Sequence, residues 1–164
     1  MIDIRKASLE DYDTIHSLAQ RTWYPTYLPI LSREQLDYML EMMYSLKAVT
    51  EQISINGNHF LLANEGAEFL GFASYEVNYH SETTKLHKLY VLPEAQGKGV
   101  GARLLLIIEN EARRNHNDKL ILNVNRYNPA VNFYRKSGFE KVGEEDIDIG
   151  NGYLMEDYIM AKNL

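Results

Sequence analysis

Apolar positions change period several times along the chain, and each change marks an element. Ile2 to Ala7 alternates apolar and polar residues, the period-two pattern of a short half-buried strand. Ser8 then opens a helix, with Asp11 three positions on as its capping-box partner and Tyr12, Ile15, Ala19 and Trp23 as one apolar stripe. Pro25 and Pro29 are read as breaking the chain, because proline has no N–H to continue a helical ladder. Ser32 starts a second helix capped through Gln35, in which Leu36, Met39, Leu40, Met43 and Tyr44 recur at helical spacing. A short helical stretch follows from Ser45 to about Ile53.

From there the period shortens. His59 to Asn64, Glu68 to Val77 and Lys85 to Leu92 are rich in β-branched and aromatic residues and are separated by turn signals such as Asn64-Glu65-Gly66, so three strands are predicted. Val100 to about Asn115 is a long helix with Leu104, Leu105, Ile107, Ile108 and Ala112 on its apolar face. Leu120 to Val124 is almost wholly apolar, the pattern of a central strand buried on both faces. Ala130 to Ser137 predicts a short helix closed by Gly138 at a left-handed C′ position. Phe139 to Ile147 and Tyr153 to Ala161 are two closing strands around Gly150-Asn151-Gly152. No repeat, low-complexity stretch or linker interrupts this order, so residues 1–164 are read as one α/β (α+β) domain, a mixed sheet with helices on both faces.

Composition narrows the chemistry. Apolar residues make up 45 % and charged residues 24 %, as in ordinary globular proteins, and no run approaches the roughly 18 apolar residues of a membrane span. The opening Met1-Ile2-Asp3-Ile4-Arg5 has no basic segment leading into an apolar run, so no secretory signal is expected and the expected compartment is the cytoplasm. The absence of cysteine excludes a disulfide framework, a thiolate zinc site and an acyl-cysteine intermediate. A net charge of −6 disfavours nucleic acid and anionic membrane as partners and favours cationic ligands, so an anionic cofactor needs local basic groups and aimed N–H donors.

One segment offers such donors. Leu89-Tyr90-Val91-Leu92-Pro93-Glu94-Ala95-Gln96-Gly97-Lys98-Gly99-Val100-Gly101 runs from a strand through a turn into the N-terminus of the long helix, where unpaired amides and the helix dipole together attract an anion. Glycines at 97, 99 and 101 keep Cβ atoms from the path of a phosphate; Lys98 adds a mobile cation, and Arg103 follows one turn later. A Walker A loop is ruled out because Gly97-Lys98 is followed by Gly99 rather than Ser or Thr. A dinucleotide fingerprint fits poorly, since this is G-x-G-x-G after three consecutive strands and not G-x-G-x-x-G at a first βα turn. From the loop alone, a glycine-rich turn that merely packs helix on strand remains the other reading.

Gln96-Gly97-Lys98-Gly99-Val100-Gly101 resembles the Q/R-x-x-G-x-G/A signature of the GCN5-related N-acetyltransferase (GNAT) superfamily. Asn128-Pro129-Ala130-Val131-Asn132-Phe133-Tyr134-Arg135-Lys136-Ser137-Gly138-Phe139 is similar to that family's N-x-A-x-x-F-Y-x-x-x-G-F segment, and the element order matches along the chain. The resemblance implies the GNAT fold, a mixed, mostly antiparallel sheet of about seven strands, with acetyl-CoA as co-substrate and no metal. It assigns the backbones of Leu89, Tyr90 and Val91 to the pantetheine arm, which pairs like an added strand, and Gln96, Gly97, Lys98, Gly99, Val100 and Gly101 to the pyrophosphate. Asn125 and Asn128 fall where side chains reach cofactor amides, though both are also apt turn formers beside Pro129. Tyr134 matches the tyrosine that lies near the thioester sulfur, where a phenol can protonate the departing thiolate.

The base that must deprotonate the attacking amine is less clearly marked. The family often places a glutamate where this chain has His87, so imidazole replaces carboxylate here; Glu76, acting through water, and Tyr75 are the other candidates. Thr22-Trp23-Tyr24-Pro25-Thr26-Tyr27 and Met155-Glu156-Asp157-Tyr158-Ile159-Met160 border the acceptor cleft in this fold, and Glu144, Glu145, Asp146 and Asp148 add acidity near the last hairpin. Aromatics and carboxylates together suit an alkyl polyamine, while a solvated strand face and core aromatics would look the same in sequence. The helical start and the closing Asp-Tyr-Ile-Met-Ala-Lys resemble the spermidine/spermine-acetylating branch. The expected activity is thus direct acetyl transfer to a primary amine of a small molecule, a polyamine above all; a protein or peptide N-acetyltransferase and a non-catalytic acyl-CoA-binding module are the alternatives. In this fold an exposed closing strand often pairs across a homodimer, which makes a homodimer an option here.

Overall fold

A computed structural model describes residues 1–164. The N-terminal strand β1 (Ile2–Lys6) leads into a single 3-10 turn at Leu9–Asp11, whose Ser8–Asp11 capping box forms as the sequence predicts. Helices α1 (Tyr12–Tyr27), α2 (Arg33–Tyr44) and α3 (Leu46–Ser54) follow, the last two capped by Ser32 and Ser45 hydroxyls accepting from Gln35 and Ala48 amides. Then come β2 (His59–Glu65), β3 (Glu68–His80), β4 (Thr83–Val91), α4 (Val100–Arg114), β5 (Lys119–Asn125), α5 (Ala130–Lys136), β6 (Glu140–Gly150) and β7 (Tyr153–Asn163).

The seven strands make one sheet in the order β1-β2-β3-β4-β5-β7-β6, antiparallel throughout except for β4 beside β5. Helices α1 to α3 cover one face, where Tyr44 meets Phe72 edge-on at 5.9 Å; α4 packs on the other. The buried core joins both layers, from Ile15, Leu18 and Leu36 to Leu104, Ile108, Leu120 and Leu122.

Two expectations are corrected. Pro25 does not break the chain: α1 runs through it to Tyr27. Trp23 and Tyr27, 3 % and 6 % exposed, are anchored on either side of it, and packing of that stripe outweighs one missing ladder bond in the last turn. The strand β5 is not buried on both faces. Leu120, Leu122 and Val124 are buried, while Ile121, Asn123 and Asn125 are half-buried, because the α1–α3 layer stops short of that part of the sheet. That opening is where the site forms.

Candidate active site

The parallel strands separate part-way along. Pairing of β4 with β5 ends at Leu86↔Leu122, whereas β5 stays with β7 as far as Asn125↔Asp157. From His87 onward, β4 therefore has a partner on its β3 side only, with Leu89, Tyr90 and Val91 opposite Ala73, Phe72 and Gly71. Its other edge offers backbone groups that an extended amide chain can use as a strand would. Gly71 is needed for this arrangement, since a Cβ there would lie 2.6 Å from the Tyr90 carbonyl oxygen.

The loop after β4 ends at the α4 N-terminus. Gly97 and Gly99 have φ of +83° and +81°, and nothing lies within 4 Å of where their Cβ atoms would be, so the glycines both permit the turn and leave a clear approach. The first ladder bond of α4 is Arg103 N–H to the Gly99 carbonyl, 3.1 Å, which leaves the amides of Val100, Gly101 and Ala102 without helical partners. An anionic group fits this cradle. Lys98 is exposed, and Gln96 Nε2 reaches back to the Val91 carbonyl at 3.4 Å. Gly101 has a different reason for its missing Cβ: that atom would sit 3.3 Å from the Phe133 ring, so it lets α5 pack on α4. Arg103 donates to the Ile2 carbonyl, 2.8 Å away, and is committed to the far edge of the sheet.

Beside the point of separation, β4 carries a bulge. Ser74 faces Lys88 and Tyr75 faces Leu86, so His87 is the extra residue. A bulge turns two neighbouring side chains toward one side, and His87 and Lys88 both line a cavity of about 570 Å³ with Glu76, Gln52, Asn56 and Asn58. His87 Nε2 lies 3.0 Å from Glu76 Oε1, each side chain about a quarter exposed. With the carboxylate ionised, Nε2 carries the proton and the Nδ1 lone pair is free. Burial holds the imidazole below its ordinary 6.5, the ammoniums of Lys88 and Lys85 reinforce this, and the bond to Glu76 pulls the other way. His87 is thereby kept neutral and basic near pH 7. Tyr75, the other base candidate, points to the α4 face, where burial pushes its phenol up to about 12.

Tyr134 is 7 % exposed and held between Phe133 and Phe139, at centroid distances of 5.4 and 5.6 Å. Burial raises its phenol well above 10, and the nearby Tyr27 adds to this, so it keeps its proton throughout the physiological range. Its hydroxyl makes no hydrogen bond within the protein, unlike that of Tyr27, which meets the Tyr90 hydroxyl at 2.9 Å and accepts from Asn128 Nδ2 at 3.2 Å. Both ends of Asn128 are in use, because Oδ1 accepts from the Ala130 amide at the start of α5, 2.9 Å away. Asn125 Oδ1 accepts from the Tyr127 amide at 2.9 Å, the turn-forming role, while its Nδ2 remains free.

Sequence reasoning missed Lys88. Its ammonium donates to Gln52 Oε1 at 2.8 Å, lies 5.5 Å from the Tyr44 and Phe60 ring centroids, and is drawn down to about 8 by burial. The signal was present: two adjacent polar residues in Leu86-His87-Lys88-Leu89 interrupt strict alternation, as a bulge requires.

The geometry combines an anion cradle at the α4 N-terminus, an open edge of β4 and a free imidazole nitrogen at the point where β4 and β5 part. Comparison with known proteins agrees. Residues 27–159 match the Acetyltransferase (GNAT) domain family, and the chain belongs to it as an N-acetyltransferase. It is 31 % identical to the spermidine N(1)-acetyltransferase of Thermoplasma acidophilum, over 94 % of this chain and 96 % of that one. The structure of the PaiA N-acetyltransferase of Thermoplasma acidophilum in complex with coenzyme A superposes with a TM-score of 0.82 at 30 % identity, covering 100 % and 99 % of the two chains. The aminoalkylphosphonate N-acetyltransferase of Salmonella typhimurium is 25 % identical over 85 % of each.

Proposed function

We propose that this enzyme transfers the acetyl group of acetyl-CoA directly to a primary amine of a small molecule, and that the acceptor is a polyamine. Bound acetyl-CoA supplies an activated thioester. The free edge of β4 from Leu89 to Val91 binds its amide arm, and the cradle from Gln96 to Gly101 binds its pyrophosphate. His87, oriented by Glu76, takes the proton that the ammonium must lose before it can attack and passes it on to solvent; Tyr134 gives its proton to the sulfur as the C–S bond breaks, and the second N–H proton, released as the amide forms, returns to Tyr134 through water. The observation that carries this reading is the imidazole of His87, bonded to Glu76 and lining a cavity beside the point where β4 and β5 part. Overall similarity to a spermidine acetyltransferase and an acidic, aromatic sheet face support the polyamine. The test is thiol release from acetyl-CoA with a panel of polyamines, amino acids, aminoglycosides and peptides. Selective turnover of spermidine or spermine is expected, and turnover of peptides alone would overturn the assignment.

A further inference from the structure

Asp157 lies on β7, 3 % exposed, on the same sheet face as His87 and Glu76 but across the gap from them. A carboxylate so far out of water normally has a cation beside it. Asp157 joins none of the protein's ion pairs. Its one hydrogen bond is from Asn123 Nδ2 to Oδ2, a long 3.3 Å, and Oδ1 has no partner. The nearby cations are spoken for: Lys85 Nζ sits 4.7 Å over the Tyr79 ring, and Arg126 is held by Asp146 and by Glu144 at 3.6 Å.

Its neighbours make the arrangement more costly still. The cross-strand partner on β6 is Glu145, so two carboxylates share one face directly opposite each other, a pairing that destabilises a sheet. Glu145 is exposed and Asp157 is buried beside it. Burial, with Glu145 adding to it, lifts the Asp157 carboxyl above its ordinary 3.8, against the bond from Asn123 and the charges of Lys85 and Arg126. The β6–β7 hairpin is fixed to α2, since Tyr38 donates to the Ile149 carbonyl at 2.6 Å and Gln35 to the Leu154 carbonyl at 2.9 Å. The hairpin and α2 thus bridge the sheet face that carries Asp157. On that face the protein keeps an unpaired, buried carboxylate with a second, exposed one directly across the strand pair, an arrangement relieved when a cation binds between them.

We propose that Asp157, with Glu145 across the strand pair, binds a second ammonium of the acceptor while the reacting amine lies beside His87, so that the enzyme selects amines carrying two cationic nitrogens. This rests on the polyamine reading above and names the residue that would enforce it. The test compares spermidine with n-butylamine, a single amine on the same four-carbon chain that links spermidine's secondary nitrogen to one of its ends, in the wild type, Asp157→Asn and Glu145→Gln. Asp157→Asn preserves shape and should cut kcat/KM for spermidine by at least about 30-fold, as loss of a buried charge partner does, and that for butylamine by no more than about 3-fold. Glu145→Gln should show a weaker loss in the same direction, which keeps the idea testable if Asp157→Asn folds poorly. Acetyl-CoA affinity by calorimetry should be unchanged in both. Equal losses for the two amines in both variants, or none, would overturn the role of Asp157 while leaving the polyamine reading intact. A wild-type enzyme that acetylates butylamine and ignores spermidine would overturn both.

Discussion

The imidazole of His87 is bonded to Glu76 at 3.0 Å on one nitrogen and left free on the other, because a bulge in β4 turns it into the same cavity as its neighbour Lys88. In the base role proposed for it, His87 should govern the acid side of the pH–rate profile. Its pKa lies below 6.5 in the fold, so the acid limb of kcat/KM should fall at lower pH than a free imidazole would place it. Replacing His87 with Ala should lower kcat by roughly 10²-fold or more. Glu76→Gln should remove the interaction that favours the imidazolium, moving the acid limb to still lower pH, with a smaller loss of kcat from poorer orientation. Steady-state rates across pH 5 to 9 on the three proteins check this.

Lys88 should act on the same limb in the opposite sense. Its charge disfavours protonated His87, so Lys88→Met should raise the His87 pKa and move the acid limb upward. The same variant carries a stability prediction. Burial takes this ammonium from 10.5 to about 8, so the folded state gives up a proton that the unfolded chain still holds between those values. Wild-type stability contributed by this group is therefore lowest below about pH 8 and is recovered as pH climbs toward 10.5. Lys88→Met should raise the melting temperature at pH 7 by roughly a few degrees, and its advantage should shrink above pH 8. An unchanged melting temperature at pH 7 would show that Gln52 and the rings of Tyr44 and Phe60 already offset the desolvation.

In the loop, glycines should separate by role. Gly99→Val forces a branched residue into φ of +81° and points it at the clear approach, so acetyl-CoA affinity should fall by roughly 10-fold or more. Lys98→Ala removes one exposed cation and should cost no more than about 1 kcal/mol of binding. Gly101→Val drives a side chain into the Phe133 ring, so its damage should appear in melting temperature as well as in binding. Calorimetric titration and thermal unfolding on the three variants distinguish these outcomes.

Much of this was legible in the chain. The caps at Ser8 and Ser32, the C′ glycine at 138 and the period change after about Ile53 are local signals, and each appears in the fold at or near the predicted residue. What escaped prediction was non-local. Pro25 looked like a stop because the packing of Trp23 and Tyr27 that carries α1 through it involves rings from other elements, such as Tyr44 and Tyr90. The apolar run Leu120–Val124 looked doubly buried because nothing local says that a helical layer ends before reaching it. Lys88 and Asp157 carry charge into the interior, and sequence reads such residues as surface until the strand register shows which face they share.

The central prediction concerns Tyr134. Its hydroxyl is unbonded within the protein while its ring is clamped by Phe133 and Phe139, an arrangement suited to a donor whose partner arrives with the substrate. Burial raises the phenol above 10, which makes it a weaker acid but guarantees that it is protonated when a thiolate with an ordinary pKa near 8.5 departs. Tyr134→Phe keeps the ring and removes the donor. If proton transfer is its task, kcat should fall by roughly 10²-fold, acetyl-CoA affinity should stay within about 3-fold, and the melting temperature should hold or rise, since no internal hydrogen bond is lost. The basic limb of the profile should also not report Tyr134 in the wild type, because its proton is retained well beyond pH 9. A variant with near wild-type kcat and a lowered melting temperature would make Tyr134 a packing residue, and the sulfur would then have to take its proton from water.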